Sequence, residues 1–143
     1  LNSKCYFLSM ELEKIFKQII LLDLVLSILI IVLVFFQPTE ILNISETLDF
    51  GVLEPISDTI MFLLILLSFL IFYLVSLFLL YKFIDIGKII FLIMTIVSLI
   101  LSLTMGPTIT SPLISTLEWL GGASHGAILV LLYFSPIKDK FIN

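Results

Sequence analysis

Four long apolar runs separated by short polar breaks dominate the chain. A helix needs about 20 apolar residues to cross about 30 Å of hydrocarbon, and the runs at about 15–36, 59–81, 89–105 and 113–134 meet that length. Their boundaries carry the chemistry that starts and stops helices. Gln37-Pro38 ends the first, because Pro disfavours helical geometry in the residue before it. Glu54-Pro55 followed by Ser57-Asp58 opens the second, with a capping side chain and negative charge in its first turn. Asp85 is placed to cap the third, and Gly106-Pro107 stops it. Ser111-Pro112 fits an N-cap with Pro at the first helical position of the fourth. Ser115 and Glu118 have capping-box spacing as an alternative start, and Ser135-Pro136 closes the helix. The expected fold is all-α, an integral membrane four-helix antiparallel bundle forming a single domain over residues 1–143.

The lysines orient the bundle. Lys4, Lys14 and Lys17 precede the first span, Lys82 and Lys88 bracket the second connection, and Lys138 and Lys140 follow the fourth span. The first connection, 37–58, carries Glu40, Glu46, Asp49, Glu54 and Asp58 and no Lys, and the third has no Lys either. All seven basic residues therefore fall on one side, which the positive-inside rule makes cytoplasmic. Both termini are then cytoplasmic. The first run is too long for a cleaved signal peptide and lacks a small-x-small cleavage site, so it reads as a retained anchor. The stretch Leu1 to Ser9 is unlike the remainder of the chain, and Met10 would make a natural start. The acidic loop 37–58 reads as a solvated outer loop. The alternative is a short amphipathic surface helix built on Ile41, Leu42, Ile44 and Leu48. Asn43-Ile44-Ser45 matches a glycosylation sequon, a short pattern common by chance.

Composition agrees with the membrane reading and narrows the chemistry. The chain is 61% hydrophobic and 13% charged, against about 45–50% and about 25% in soluble domains. There is no Arg, so no bidentate guanidinium clamp on phosphate or carboxylate is available. With no basic patch beyond a few lysines, nucleic acid is not an expected partner. Cys5 is the only cysteine and His125 the only histidine. An intrachain disulfide, a thiolate cage, bis-His haem ligation and a multi-His metal site are thereby excluded. No cofactor, no metal and no catalytic residue is expected, since no nucleophile–base pair or phosphate cradle is visible.

The candidate chemistry is a set of polar residues inside the spans, where ionisable side chains face the bundle interior or a cavity. Asp23 lies about 12 Å into the first span and His125 about 15 Å from the same face in the fourth, so the two meet if those helices are neighbours. Three readings stand side by side. Asp23 is hydrated near the interface while His125 bonds a carbonyl or a Ser; or the pair is a structural lock; or it is a working proton or ion site. On the fourth span Ser115, Glu118, Gly122, His125, Gly126 and Tyr133 share an arc of about 100°. Gly122 and Gly126 form a small-xxx-small pair that lets a backbone approach closely. That makes the fourth span the expected packing centre, within the chain or against a second copy, with the former preferred. Thr95, Ser98 and Ser102 cluster on the third span and are expected to bond across to Asp23 and Ser27 on the first or to the fourth. The Phe-rich second span shows no polar face and is expected to meet lipid over most of its surface. Trp119 sits where an interfacial aromatic anchors.

From about Asp58 to Phe141 the chain resembles small four-span bacterial membrane proteins. The resemblance rests on the Lys-bearing second connection, Gly106-Pro107, Gly126-Ala127-Ile128-Leu129, Tyr133-Phe134-Ser135-Pro136 and Phe141. It implies an inner-membrane location and no known activity. Asp23 also matches the embedded acid in the first span of the small multidrug transporters, whose Glu context and aromatic binding residues have no clear counterparts here. The single cysteine excludes quinone-linked oxidoreductases of the four-helix kind, and the Asp-Gly-Arg-rich motif of phospholipid-forming transferases is absent. The expected function is a non-enzymatic scaffold or accessory subunit. Its partners would be the lipid bilayer and a membrane protein or a second copy. The alternative is a small proton- or ion-coupled transporter using Asp23 and His125.

Overall fold

The computed structural model describes residues 2–36, 60–104 and 110–141, and the acidic loop 37–58 lies outside them. Among these residues there are four α-helices, α1 (Asn2–Phe35), α2 (Ile60–Tyr81), α3 (Ile86–Thr104) and α4 (Pro112–Phe134), followed by a 3-10 turn at Pro136–Lys140. Each contains a segment long and apolar enough to cross a membrane: Met10–Val34, Leu64–Tyr81, Ile86–Leu103 and Pro112–Phe134. Only 11–17% of the residues in these segments are buried within the chain, so most of the bundle surface is apolar and suited to lipid.

α4 starts where Ser111 and Pro112 place it. The Ser111 hydroxyl accepts from the Ile114 amide at 3.4 Å and Pro112 occupies the first turn, so the start at Ser115 is not used. Ser135 closes α4 by donating to the Leu131 carbonyl at 2.6 Å and then caps the 3-10 turn by accepting from the Ile137 amide. The α2–α3 connection is a Schellman turn. Ile84 N–H reaches the Leu79 carbonyl and Phe83 N–H the Leu80 carbonyl, with Phe83 in the left-handed region at φ = 58°, a place where Gly is usual. Phe83 tolerates it because its ring joins Phe16 and Phe141, with centroids 5.7 and 5.4 Å away. Gly87 is required just beyond: a Cβ there would stand 2.8 Å from Leu79 Cβ and 3.0 Å from Leu80 N. This close approach lets α3 begin at Ile86, three residues before the apolar run alone implies.

α1 packs along α4, α2 packs along α3, and α1 also touches α2. α3 and α4 meet through the side chains of Thr95 and His125. The core of Phe16, Ile20, Leu77, Leu80, Phe91, Ile128, Leu132 and Ile137 fills one half of the bundle. At that end Glu13 pairs with Lys17 at 2.8 Å and with Lys140 at 2.6 Å. Lys17 lies over the Tyr81 and Phe83 rings, Lys88 over Phe141, and Lys88 also pairs with Asp85. These contacts bring the lysine-bearing parts of α1, the α2–α3 turn and the end of α4 to one end, as an antiparallel bundle requires.

One packing expectation fails. A Cβ built on Gly122 or Gly126 meets nothing within 4 Å, so the small-xxx-small pair is not where another helix of this chain approaches. Gly121 is the glycine facing α1, with Ile30 at 3.9 Å. The buried residues of α4 are Ile114, Ser124, Ile128 and Leu132, a stripe rotated by about 100° from the small polar arc. α2 leaves most of its surface uncovered, as expected, with 17% of Leu64–Tyr81 buried. It does carry a polar point: Ser76 is buried beside Leu77 and Leu80, and Tyr73 enters the polar cluster.

Candidate functional site

The site is a polar cluster in the middle of the spans to which every helix contributes. Asp23 on α1 is 2% exposed. Its Oδ2 accepts from the Tyr73 hydroxyl of α2 and its Oδ1 from the Ser124 hydroxyl of α4. His125 Nδ1 stands 3.6 Å from Asp23 Oδ2, beyond hydrogen-bond length but close for opposite charges. On the other edge of the ring, Nε2 lies 2.7 Å from Thr95 Oγ1 of α3. The imidazole is sandwiched, with Phe91 stacked at 4.2 Å and Tyr73 at 6.0 Å between centroids. Ser27 donates to the Asp23 carbonyl at 2.8 Å and its oxygen lies 3.1 Å from the Tyr73 hydroxyl.

Local sequence explains each placement. Ser27 follows Asp23 by one helical turn, so its hydroxyl reaches back to the carbonyl four residues earlier. Ser124 and Ser76 lie on the buried faces of their helices, and each hydroxyl reaches a carbonyl three residues back, Gly121 at 2.9 Å and Tyr73 at 2.7 Å. No buried side-chain nitrogen or oxygen among the described residues lacks a partner. That matters in hydrocarbon, where an unsatisfied polar group costs several kcal/mol, of order 2–7.

Of the residues the sequence pointed to, the structure joins Asp23, Ser27, Thr95 and His125. It does not join Glu118, Ser98 or Ser102. Glu118 is exposed. Ser98 and Ser102 are exposed and donate to their own helix, to Thr95 O at 3.2 Å and Leu99 O at 2.9 Å, so the expected bonds across helices form only at Thr95. Tyr73 and Ser124, which supply both donors to the carboxylate, are not among the residues that sequence reasoning finds. Tyr73 is hidden in a run of Phe and Leu, although its hydroxyl and that of Ser76 mark a polar point in mid-span. Ser124 escapes because it lies outside the arc of small polar residues and on the apolar face instead. Among the described residues no three His, Cys, Asp or Glu side chains are grouped to hold a metal ion. An apolar groove of ≈ 320 Å³ runs beside the cluster between α1 and α4, lined by Ile19, Leu22, Leu26, Leu120, Ala123, Ser124 and Ala127. Ser124 is its only hydroxyl, and that hydroxyl is engaged with Asp23.

Comparison of the chain with protein-family models, with curated proteins and with solved structures returns no match. The functional reading rests on the geometry of this chain.

Proposed function

We propose that the chain is a non-enzymatic multi-pass protein of a bacterial inner membrane, with both termini cytoplasmic, that serves as a scaffold or accessory subunit for another membrane protein. The observation that carries this reading is the stripe its own helices leave uncovered. Gly122 and Gly126 face open space, and Glu118, Ser98 and Ser102 are exposed beside them on α4 and α3. In antiparallel register from Thr95 and His125, Ser98 falls level with Gly122 and Ser102 with Glu118. Small residues that admit a close backbone, flanked by hydroxyls, are the features that bring transmembrane helices together.

The test is favourable because a Cβ added at either glycine meets nothing within 4 Å among the described residues. Gly122→Leu with Gly126→Leu should abolish co-purification of a membrane partner in mild detergent while leaving the chain itself at least as stable to unfolding. A chain that purifies as a bare monomer from its native membrane sinks the reading. Orientation is checked at Cys5, the only thiol: an impermeant maleimide should label it only after the membrane is opened.

A second reading, a small proton- or ion-coupled transporter, is favoured by the 3.6 Å approach of His125 to a buried carboxylate. It requires a pH-dependent flux in vesicles that Asp23→Asn and His125→Ala each abolish. Flux retained in both variants overturns it.

A further inference from the structure

The hydrogen bonds around His125 have a property that a structural lock does not need. The Thr95 hydroxyl has one hydrogen and two acceptors in reach, His125 Nε2 at 2.7 Å and the Phe91 carbonyl at 2.8 Å. Asp23 already receives hydrogens from Tyr73 and Ser124, so it stays an acceptor, and a proton on His125 Nδ1 points at it. Two arrangements then give Nε2 and the Thr95 hydroxyl a partner each, with the Nδ1 hydrogen facing the carboxylate at 3.6 Å. In the first the ring is neutral with its hydrogen on Nδ1, and Thr95 donates to Nε2. In the second Nε2 also carries a hydrogen and donates to Thr95 Oγ1, while the Thr95 hydrogen turns to the Phe91 carbonyl. No heavy atom has to move between them.

We infer that His125 Nε2 is a proton-binding site inside the bundle, with the Thr95 hydroxyl as the rotor that satisfies both states and Asp23 as the fixed counter-charge. The proton comes from hydronium: its O–H bond breaks as the Nε2–H bond forms, and a water molecule is left behind. Binding converts a cluster of net charge −1 into a neutral carboxylate–imidazolium pair. The cation forms between the faces of Phe91 and Tyr73, which attract positive charge. The ring is 22% exposed whereas Asp23 is 2% exposed, so the imidazole is the less enclosed of the two groups. Asp23 from α1 and Tyr73 from α2 are the titratable groups facing the ring. α3 presents only Thr95 and Phe91, and the nearest titratable group along α4, Glu118, lies about 10 Å away along the axis. This deepens the transporter reading but does not depend on flux, since a site can bind a proton whether or not anything is carried.

The chain has one histidine, so ¹⁵N spectra of histidine-labelled protein in bilayers report this ring alone. The expected result is the neutral ring protonated at Nδ1 at high pH, and both nitrogens protonated as pH falls. A neutral ring protonated at Nε2, or a ring unchanged throughout, overturns the inference while leaving transport to be judged by flux. At the pH where the wild type is half converted, Thr95→Val should lower the imidazolium-to-neutral ratio about tenfold, the difference between a charge-assisted and a neutral hydrogen bond. Thr95→Ser should restore it. Equal ratios in Thr95→Val and wild type overturn the role of Thr95. Asp23→Asn should lose the imidazolium signal at that pH, and its persistence there overturns the role of Asp23.

Discussion

Replacing Tyr73 by Phe removes one hydroxyl and keeps the ring that stacks on His125, so it isolates the polar link between α1 and α2. In the structure that hydroxyl is the donor to Asp23 Oδ2. Without it the oxygen keeps only His125 Nδ1 at 3.6 Å, while Ser27 retains its own bond to the Asp23 carbonyl at 2.8 Å. One hydrogen bond to a carboxylate is therefore lost with no local substitute. Hydrogen bonds between transmembrane helices average about 0.6 and reach about 1.7 kcal/mol, while those to charged groups in soluble proteins are worth about 1.5–3 kcal/mol. The overlap puts Tyr73→Phe at about 1.5 kcal/mol, roughly a tenfold shift in the unfolding equilibrium. Reversible unfolding in mixed detergent micelles measures it, with Tyr81→Phe, an exposed tyrosine at the helix end, as the control. The decisive form is a double-mutant cycle with Asp23→Ala, in which Tyr73→Phe should cost at least about 1 kcal/mol less than in the wild-type background. A coupling of zero, or a cost equal to that of Tyr81→Phe, refutes the argument that this bond holds α1 to α2.

Gly87→Ala should destabilise by about 2 kcal/mol, because the added methyl meets Leu79 and the Leu80 backbone and overpacking costs about 1–3 kcal/mol. Gly122→Ala should instead be neutral or stabilising by up to about 1 kcal/mol from helix propensity alone. Unfolding of the two variants side by side checks both. At Phe83 the usual ranking of small residues should invert: Phe83→Gly should be more stable than Phe83→Ala by about 1 kcal/mol, because φ = 58° penalises any Cβ. The opposite order would show that the turn relaxes. Glu13→Gln breaks the pairs to Lys17 and Lys140. As these side chains are about one-third exposed, the loss should be about 0.2–1 kcal/mol and should vanish in high salt, read as unfolding at two ionic strengths.

The sequence by itself determined the number of long apolar helices, the two ends of α4 and the grouping of charge, because each depends on local properties: apolar length, Pro and Ser at boundaries, and the spacing of lysines. Ser111-Pro112 and Ser135-Pro136 act where they stand in the chain. Helical arithmetic also put Asp23 and His125 at one depth, which is a distance along an axis. It could not decide which face of α4 turns inward. Gly122 and Ser124 are two residues apart, about 160° around the helix, and a rotation of that size exchanges their roles. In lipid no hydrophobic contrast sets that rotation, since chain and solvent are equally apolar. The choice was made in three dimensions, by the Asp23 carboxylate finding donors on Tyr73 and Ser124. Neither residue advertises itself in the sequence, since a lone hydroxyl in an apolar run gains meaning only from the acceptor that the fold sets opposite it.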